Sequence, residues 1–421
     1  MKQGDALSLP KGWEIKKLGD VCVFNNGLWT GKTPPFINVG VIRNTNFTKD
    51  GKLNDTNIAY LDVEQSLFNK RKLQYGDIIL EKSGGGPKQP VGRVIIFDKK
   101  EGNFSFSNFT SVIRISNPKT VDFTYLHRFL FHCYISGITE TMQSHSTGIR
   151  NLKFDDYKEI NIPLPPLPEQ RRIVAILDEC FTAIAKAKAN AEQNLKNAKE
   201  IFESYLNSVF ANKGEGWEIK KVNEIGIAQT GTTPKTVEKE NYGDFIPFIK
   251  PADVDFSGVG DIRYDNEGLS EIGLKKGRKM EKGSILMVCI GATIGKVGYA
   301  EQEVSCNQQI NSLTLKKEFE PKFFYYAMTS KEFQNKVLSE GKGAQATLPI
   351  INKSKWENLT IGFPKSKKEQ QTIIQKLDAL STETKKLEAV YQKKIDNLEE
   401  LKKSILQKAF AGELTTKEIV V

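Results

Sequence analysis

Gly291-Ala292-Thr293-Ile294-Gly295-Lys296-Val297 is the stretch of this 421-residue chain that comes nearest to a nucleotide-binding loop. It has one residue too few between its glycines, and Val297 stands where Ser or Thr must reach magnesium. A turn between strands is the reading that remains. Ser83-Gly84-Gly85-Gly86-Pro87 offers backbone N–H groups able to cradle a phosphate. A hairpin loop explains the same residues, and a DNA-phosphate contact suits both. His127, His132 and Cys133 fall on one predicted helix among apolar neighbours. A metal there would need two more ligands at workable spacing, so a core helix is the simpler reading. Asp77 with Glu81-Lys82 lacks the acid and lysine spacing of a metal nuclease.

Thr33-Pro34-Pro35-Phe36 has the outline of the Asn/Asp-Pro-Pro-Tyr/Phe motif of amino-methyltransferases. Thr33 cannot supply the amide or carboxylate oxygen that accepts the target amine's proton, and no Gly-rich cofactor loop precedes it. A turn is expected. The residues form no catalytic constellation.

What remains suits contact with a polyanion. Net charge is +10. In the first half, basic and amide residues gather at Lys70, Arg71 and Lys72, at Lys82 and Ser83, at Lys88, Gln89 and Arg93, and at Arg150 and Asn151. In the second half they gather at Lys250, Lys275, Lys276, Arg278, Lys279 and Lys296, and at Lys342 with Gln345. Lys and Arg suit phosphates; Arg, Asn and Gln suit base edges. Each is a candidate DNA contact, with a solvated surface as the alternative for any one of them.

The elements that must position these residues are legible in the pattern. Leu164-Pro165-Pro166-Leu167-Pro168-Glu169 blocks helix on its N-terminal side and opens one after it. Ile173, Leu177, Cys180, Ile184, Ala187, Ala191, Leu195, Ala198, Phe202, Tyr205 and Val209 then recur at steps of four and three, a heptad seam. Ser366 to Glu369 reads as a capping box opening a second such helix. Its seam runs through Ile373, Leu377, Leu380, Thr384, Leu387, Tyr391, Lys394 or Ile395, Leu398, Leu401 and Ile405. Each helix spans about 44 residues, roughly 65 Å. A helix of that length with one apolar stripe buries it against a partner, and an antiparallel pair is expected. The faces off the seam, such as Glu169–Arg172 and Lys385-Lys386, are free to dock a partner or to meet solvent.

The chain is also written twice. Gly12-Trp13-Glu14-Ile15-Lys16-Lys17 recurs letter for letter from Gly216 to Lys221. Gly31 to Pro34 answers to Gly231 to Pro234, Val91 to Val94 to Ile294 to Val297, and Ser204 to Ala211 to Ser404 to Ala411. Short β-rich runs (Asp77–Leu80, Arg93–Phe97, Ser111–Ile115; Ser284–Ile290, Asn311–Leu315) alternate with Gly, Asn and Pro turns, and helical stretches such as Phe123–Ser136 and Pro321–Leu338 sit among them, which makes each globular half a strand-rich α+β domain. The expected division is 1–165, a first head; 166–213, a central helix; 214–365, a second head; and 366–421, a C-terminal helix and tail. With the helices antiparallel, the heads are expected at opposite ends of a pseudo-two-fold rod. Five scattered cysteines without a CxxC pair point to reduced thiols and a cytoplasmic setting. No run approaches the ~20 apolar residues that span a bilayer, and Met1 to Pro10 lacks a signal-peptide core.

At this point the chain resembles the specificity subunit of type I restriction–modification enzymes. The resemblance rests on PLPPLPEQRRIVAILDE at Pro163–Glu179, the GWEIKK opening of each half, the alternation of head and long helix, and SILQKAFAGEL at Ser404–Leu414. The second helix departs from it, with Phe363-Pro364-Lys365-Ser366 in place of the proline-rich run. The resemblance implies that each head is a target recognition domain reading one half of a split double-stranded DNA site. It implies that the helices are conserved regions on which two methyltransferase subunits dock, joined by restriction subunits. It implies no catalysis and no cofactor in this chain; S-adenosylmethionine, ATP and magnesium belong to the partners. The alternatives are a self-contained methyltransferase or nuclease, and a structural coiled-coil adaptor.

Overall fold

The computed structural model describes residues 10–86, 89–146, 149–255, 262–341 and 349–414. It divides into two compact units. The first comprises Met1–Ala189 with Ile395–Val421; the second is Asn190–Lys394.

In the first unit, Glu14–Lys17 pairs antiparallel with Asn161–Leu164. A four-stranded sheet follows in the order Cys22–Asn26, Thr110–Ile115, Ile78–Glu81, Val94–Ile96. A three-stranded sheet holds Ala59–Glu64, Phe36–Ile42 and Phe104–Phe106, the last pair parallel. In the second unit, Trp217–Lys221 pairs with Thr360–Pro364. Its four-stranded sheet runs Gly226–Thr230, Ile310–Leu315, Ile285–Val288, Val297–Tyr299. A further sheet again carries one parallel pair, Tyr242–Ile249 with Val304–Cys306. The same strand plan is thus built twice. The alternating Ile, Val and Leu of these strands supply the buried faces.

The predicted strands and the helix Phe123–Ile135 form within one or two residues of expectation. The helix expected over Pro321–Leu338 is two helices, Pro321–Thr329 and Lys331–Gly341, broken at the extended Ser330. Ser83–Gly85 is a strand rather than a hairpin loop: it pairs with Ile149–Leu152, Asn151 lying opposite Ser83. Gly27, not Gly31, is the counterpart of Gly231. Each follows the last residue of an edge strand, and an added Cβ would strike Ser107 O or Asn307 O at about the same place.

The long helices span Leu167–Ala211 and Lys367–Ala411. In the first unit, Ile173 and Leu177, near the start of one helix, share a core with Leu406, Ala409 and Phe410, at the end of the other. Phe410 packs edge-on against Tyr125 and Phe129, centroids 5.4 and 5.1 Å away. In the second unit the same arrangement recurs with the helices exchanged. Phe202, Leu206 and Phe210 share a core with Leu377, and Ile373 and Leu380 pack on it. The pairing is antiparallel in both units, a coiled coil.

The seam of the first helix runs where the spacing puts it: Ile184 is buried and Leu195 half-buried. The second helix corrects two positions. Leu387 and Leu401 are exposed at 40% and 46%, while Glu388 and Lys402 stand half-buried and Leu398 stays on the seam. At about 100° per residue, Leu387 sits about 60° and Leu401 about 100° off the line through Thr384 and Lys402. Lys402 fills its place by lying between the Phe131 and Phe181 rings, 4.9 and 5.0 Å from their centroids.

The repeated Glu-Gln dipeptide marks a joint. Gln170 is fully buried. Its Oε1 accepts from Asp122 N at 2.8 Å, and its Nε2 donates to Pro165 O and Thr120 O. Gln370 repeats this with Glu320 N and Pro364 O. One neutral amide in each unit thus ties the helix start to the last strand and to the cap of the neighbouring helix.

Candidate nucleic-acid interface

In the first unit the end of the four-stranded sheet gathers amide and basic side chains. The edge strand stops at Asn26. Its backbone carbonyl accepts from Arg71 Nε at 3.2 Å, and its Oδ1 accepts from Lys82 Nζ at 3.0 Å. Lys82 is half-buried, and burial pulls its pKa below the usual lysine value. Beside it, Ser83 Oγ donates to Asn151 Oδ1 at 2.5 Å, and Asn44 Nδ2 donates to Ser83 O at 2.7 Å. The backbone N–H groups of Lys82 and Ser83 both donate to Phe109 O. Four predicted residues, Arg71, Lys82, Ser83 and Asn151, therefore meet around two asparagines. Arg150 lies on the adjoining strand with Nη1 3.5 Å from Gln143 Oε1. Lys70, Lys72 and Gln89 are exposed nearby in sequence. Lys88 lies outside the described residues.

Arg93 does not belong to this surface. It is 16% exposed and forms a two-pronged pair with Glu81, itself 2% exposed, at 2.7 and 2.8 Å. Its Nη1 donates to Phe47 O, and its Nη2, one prong of that pair, also reaches Asn44 O. Lys296 occupies the same place in the second unit. Its Nζ donates to Val254 O, the counterpart of Phe47 O, at 2.9 Å. Both are internal fasteners, because burial favours a cation with fixed acceptors over one facing solvent.

The sheet end of the second unit is built on the same frame. Arg278 Nη1 donates to Thr230 O at 2.7 Å, as Arg71 does to Asn26. Cys289 N donates to Gln309 O as Lys82 N does to Phe109 O. Thr230 Oγ1 donates to Asn311 Oδ1. Lys275 is exposed. Other predicted lysines are neutralised by acids. Lys276 bonds Glu238 and Asn241, Lys279 lies between Glu281 and Glu303, and Lys250 pairs with Glu267. Three of these acids, Glu267, Glu303 and Glu238, lie 17 to 38 residues from their lysines in sequence and are brought in by the fold. Lys342 and Gln345 lie outside the described residues.

The sequence reading missed Asn26, Asn44, Phe109, Thr230, Gln309 and Asn311. The signal for Phe109, Gln309 and Asn311 was the alignment of the strands Ser111–Ile115 and Asn311–Leu315, two hundred residues apart. Gly291 to Val297 forms a turn between strands, and Thr33 to Pro35 a bend. His127 and Cys133 are buried in the core of their helix. Among the described residues no group of three or more His, Cys, Asp or Glu stands close enough to hold a metal, and no helix is long and apolar enough to cross a membrane.

The frame is thus built twice, each copy ending in amides and cations. The type I restriction modification DNA specificity domain matches residues 10–196 and again 214–398. The chain belongs to this family, as a non-catalytic DNA specificity subunit. The EcoKI specificity subunit of Escherichia coli is 25% identical over 97% of this chain and 91% of its own length. The MjaVIII specificity subunit of Methanocaldococcus jannaschii is 23% identical over 99% and 96%. Among solved structures, a chain from work on complex assembly and conformational transition of the type I R-M system superposes with a TM-score of 0.78. It is 20% identical, covering 97% of this chain and 100% of the other. The HsdS subunit of Thermoanaerobacter tengcongensis gives 0.61 at 19% identity, covering 98% and 100%.

Proposed function

We infer that this chain reads a split double-stranded DNA target, one half-site per globular unit, and recruits methyltransferase and restriction subunits that methylate or cleave the DNA. The observation that carries this reading is the doubled sheet end: one backbone frame presents different amide, hydroxyl and basic side chains in each copy. Residues 1–165 and 214–365 serve as the two recognition domains, and the two long helices as the surface that partners share. Because the frame is duplicated, two methyltransferase subunits are expected per chain. S-adenosylmethionine, ATP and magnesium act in those partners, and the complex works in the cytoplasm.

Contacts such as Arg71, Lys72, Lys82 and Lys275 fall on phosphates, so affinity falls steeply with salt. Replacing residues 12–160 with the matching head of another family member tests the reading. Methylated bases are then mapped in cells carrying the full system. One half of the target should change and the other persist. A change in both halves, or in neither, overturns it.

A further inference from the structure

Gly84 and Gly291 occupy the same place in the two units, three residues beyond the ends of the equivalent strands Ile78–Glu81 and Ile285–Val288. Both have positive φ, +103° and +106°, where a side chain is strained. Each forms the floor of a shallow socket. On Gly84 a Cβ would stand 3.0 Å from Asn44 Nδ2 and 3.7 Å from Phe109 Cδ1; on Gly291 the nearest atom is Gln309 Nε2, at 3.8 Å. The backbone around them matches as well. Phe109 O accepts from Lys82 N, and Gln309 O from Cys289 N at 2.8 Å. One position in the frame thus carries a phenyl ring in the first unit and a carboxamide in the second.

Neither side chain is needed to fill its unit's core. Phe109 is 48% exposed and belongs to none of the first unit's apolar clusters. Around it, Lys82, Ser83, Asn44 and Asn151 bring a cation, a hydroxyl and two amides. Gln309 is half-buried. Its Oε1 accepts one bond, from Asn307 Nδ2 at 3.0 Å, which leaves a second lone pair and the amide protons to face outward.

We propose that this socket position is a specificity-determining site at which the two units read bases by different chemistry. Phe109 makes apolar contact with a thymine methyl group, and Gln309 forms the paired hydrogen bonds that select adenine. The inference rests on the DNA-reading function above and names the residues that set it. Glutamine's amide matches the donor and acceptor of adenine in the major groove, and an aromatic ring suits the thymine methyl. The glycine beneath leaves room for either.

The test uses the full chain assembled with its own methyltransferase partners, with methylated bases mapped genome-wide. Gln309→Ala should relax one base position of one half-site by about 10- to 100-fold in selectivity, with the other half-site intact. Phe109→Ala should relax one position of the other half-site. Gln309→Glu keeps the shape but can accept only, so it should move preference from adenine toward cytosine. A purely structural residue would not produce that shift. An unchanged motif in all three variants overturns the proposal, as does a uniform loss of methylation with the motif preserved. If the unaltered complex methylates no two-part target, the DNA-reading function itself fails; if it does and only the variants leave the motif unmoved, the socket alone is refuted.

Discussion

In the first unit the central strand Ile78–Glu81 is bracketed by two buried carboxylates. Asp77 takes both prongs of Arg114 at 2.7 Å, and Glu81 takes those of Arg93. In the second unit the equivalent strand Ile285–Val288 is bracketed by Ser284 and Val288. Ser284 Oγ meets Thr314 Oγ1 at 2.8 Å where the first unit has Asp77 and Arg114. Methyl groups stand where Glu81 stood. The two units keep one backbone with opposite solutions, one ionic and one nearly apolar. Register here is therefore set by strand pattern and turns, since charge at these places is dispensable to the frame.

The sharpest way to break the comparison is to remove one charge. Glu81→Ala strands the Arg93 guanidinium inside the first unit and should cost about 3–5 kcal/mol; Val288→Ala in the second should cost far less. Installing the second unit's solution, Glu81→Val with Arg93→Lys, should restore most of the loss. Denaturant unfolding followed by amide exchange reads each unit separately. Equal losses in both single variants would show that the ion pair adds nothing special.

The glutamine joints give the next effect. Gln170 makes three hydrogen bonds and Gln370 two. Truncation to Ala leaves buried partners unpaired, at about 1–3 kcal/mol. Gln170→Ala should be the more damaging, and the reverse order in thermal melts would contradict this bond count.

Acid should separate the units. All three histidines fall in the first half of the sequence. Burial pulls His127 down to about 3 and His132 to about 4. The folded unit therefore prefers them neutral. That stability is fully present above the ordinary histidine value of 6.5 and is lost as pH falls from there toward 3. For His127 alone the loss at pH 5 is about 2 kcal/mol. His127→Phe should flatten the decline between pH 6.5 and 4 in the first unit, and the second unit should show none of this component.

The smallest effect sharpens the seam. Leu387→Gln and Leu401→Gln should each change stability by about 0.5 kcal/mol or less, as exposed positions do. A loss of several kcal/mol in equilibrium unfolding would put the seam back through them.

How legible this was depended on the kind of residue. The first helix announced its seam because apolar and small side chains alone occupy the inward stripe from Ile173 to Val209. The second misled because Leu387 and Leu401 are apolar by type yet stand beside the stripe, while Lys402 lies on it by virtue of its methylene stem. The doubled frame was plain in GWEIKK and in the helix ends. The interface was half legible. Clusters of Lys and Arg showed in composition, but the acids and carbonyls that bond Arg93, Lys250, Lys276, Lys279 and Lys296 lie 12 to 42 residues away. Only the folded strand pairing brings them together.

The division of the chain into units also fixes an order in time. The second unit is one unbroken stretch, whereas the first needs Leu406, Ala409 and Phe410 to complete a core begun by Leu18 and Cys22. On a ribosome adding about 5–20 residues per second, the first unit waits roughly 10–40 s between the synthesis of Ala189 and that of Phe410. The half made first is the half that closes last. Until then Tyr125, Phe129 and Ile173 lack their covering helix, so the nascent first unit is the one that depends on protection.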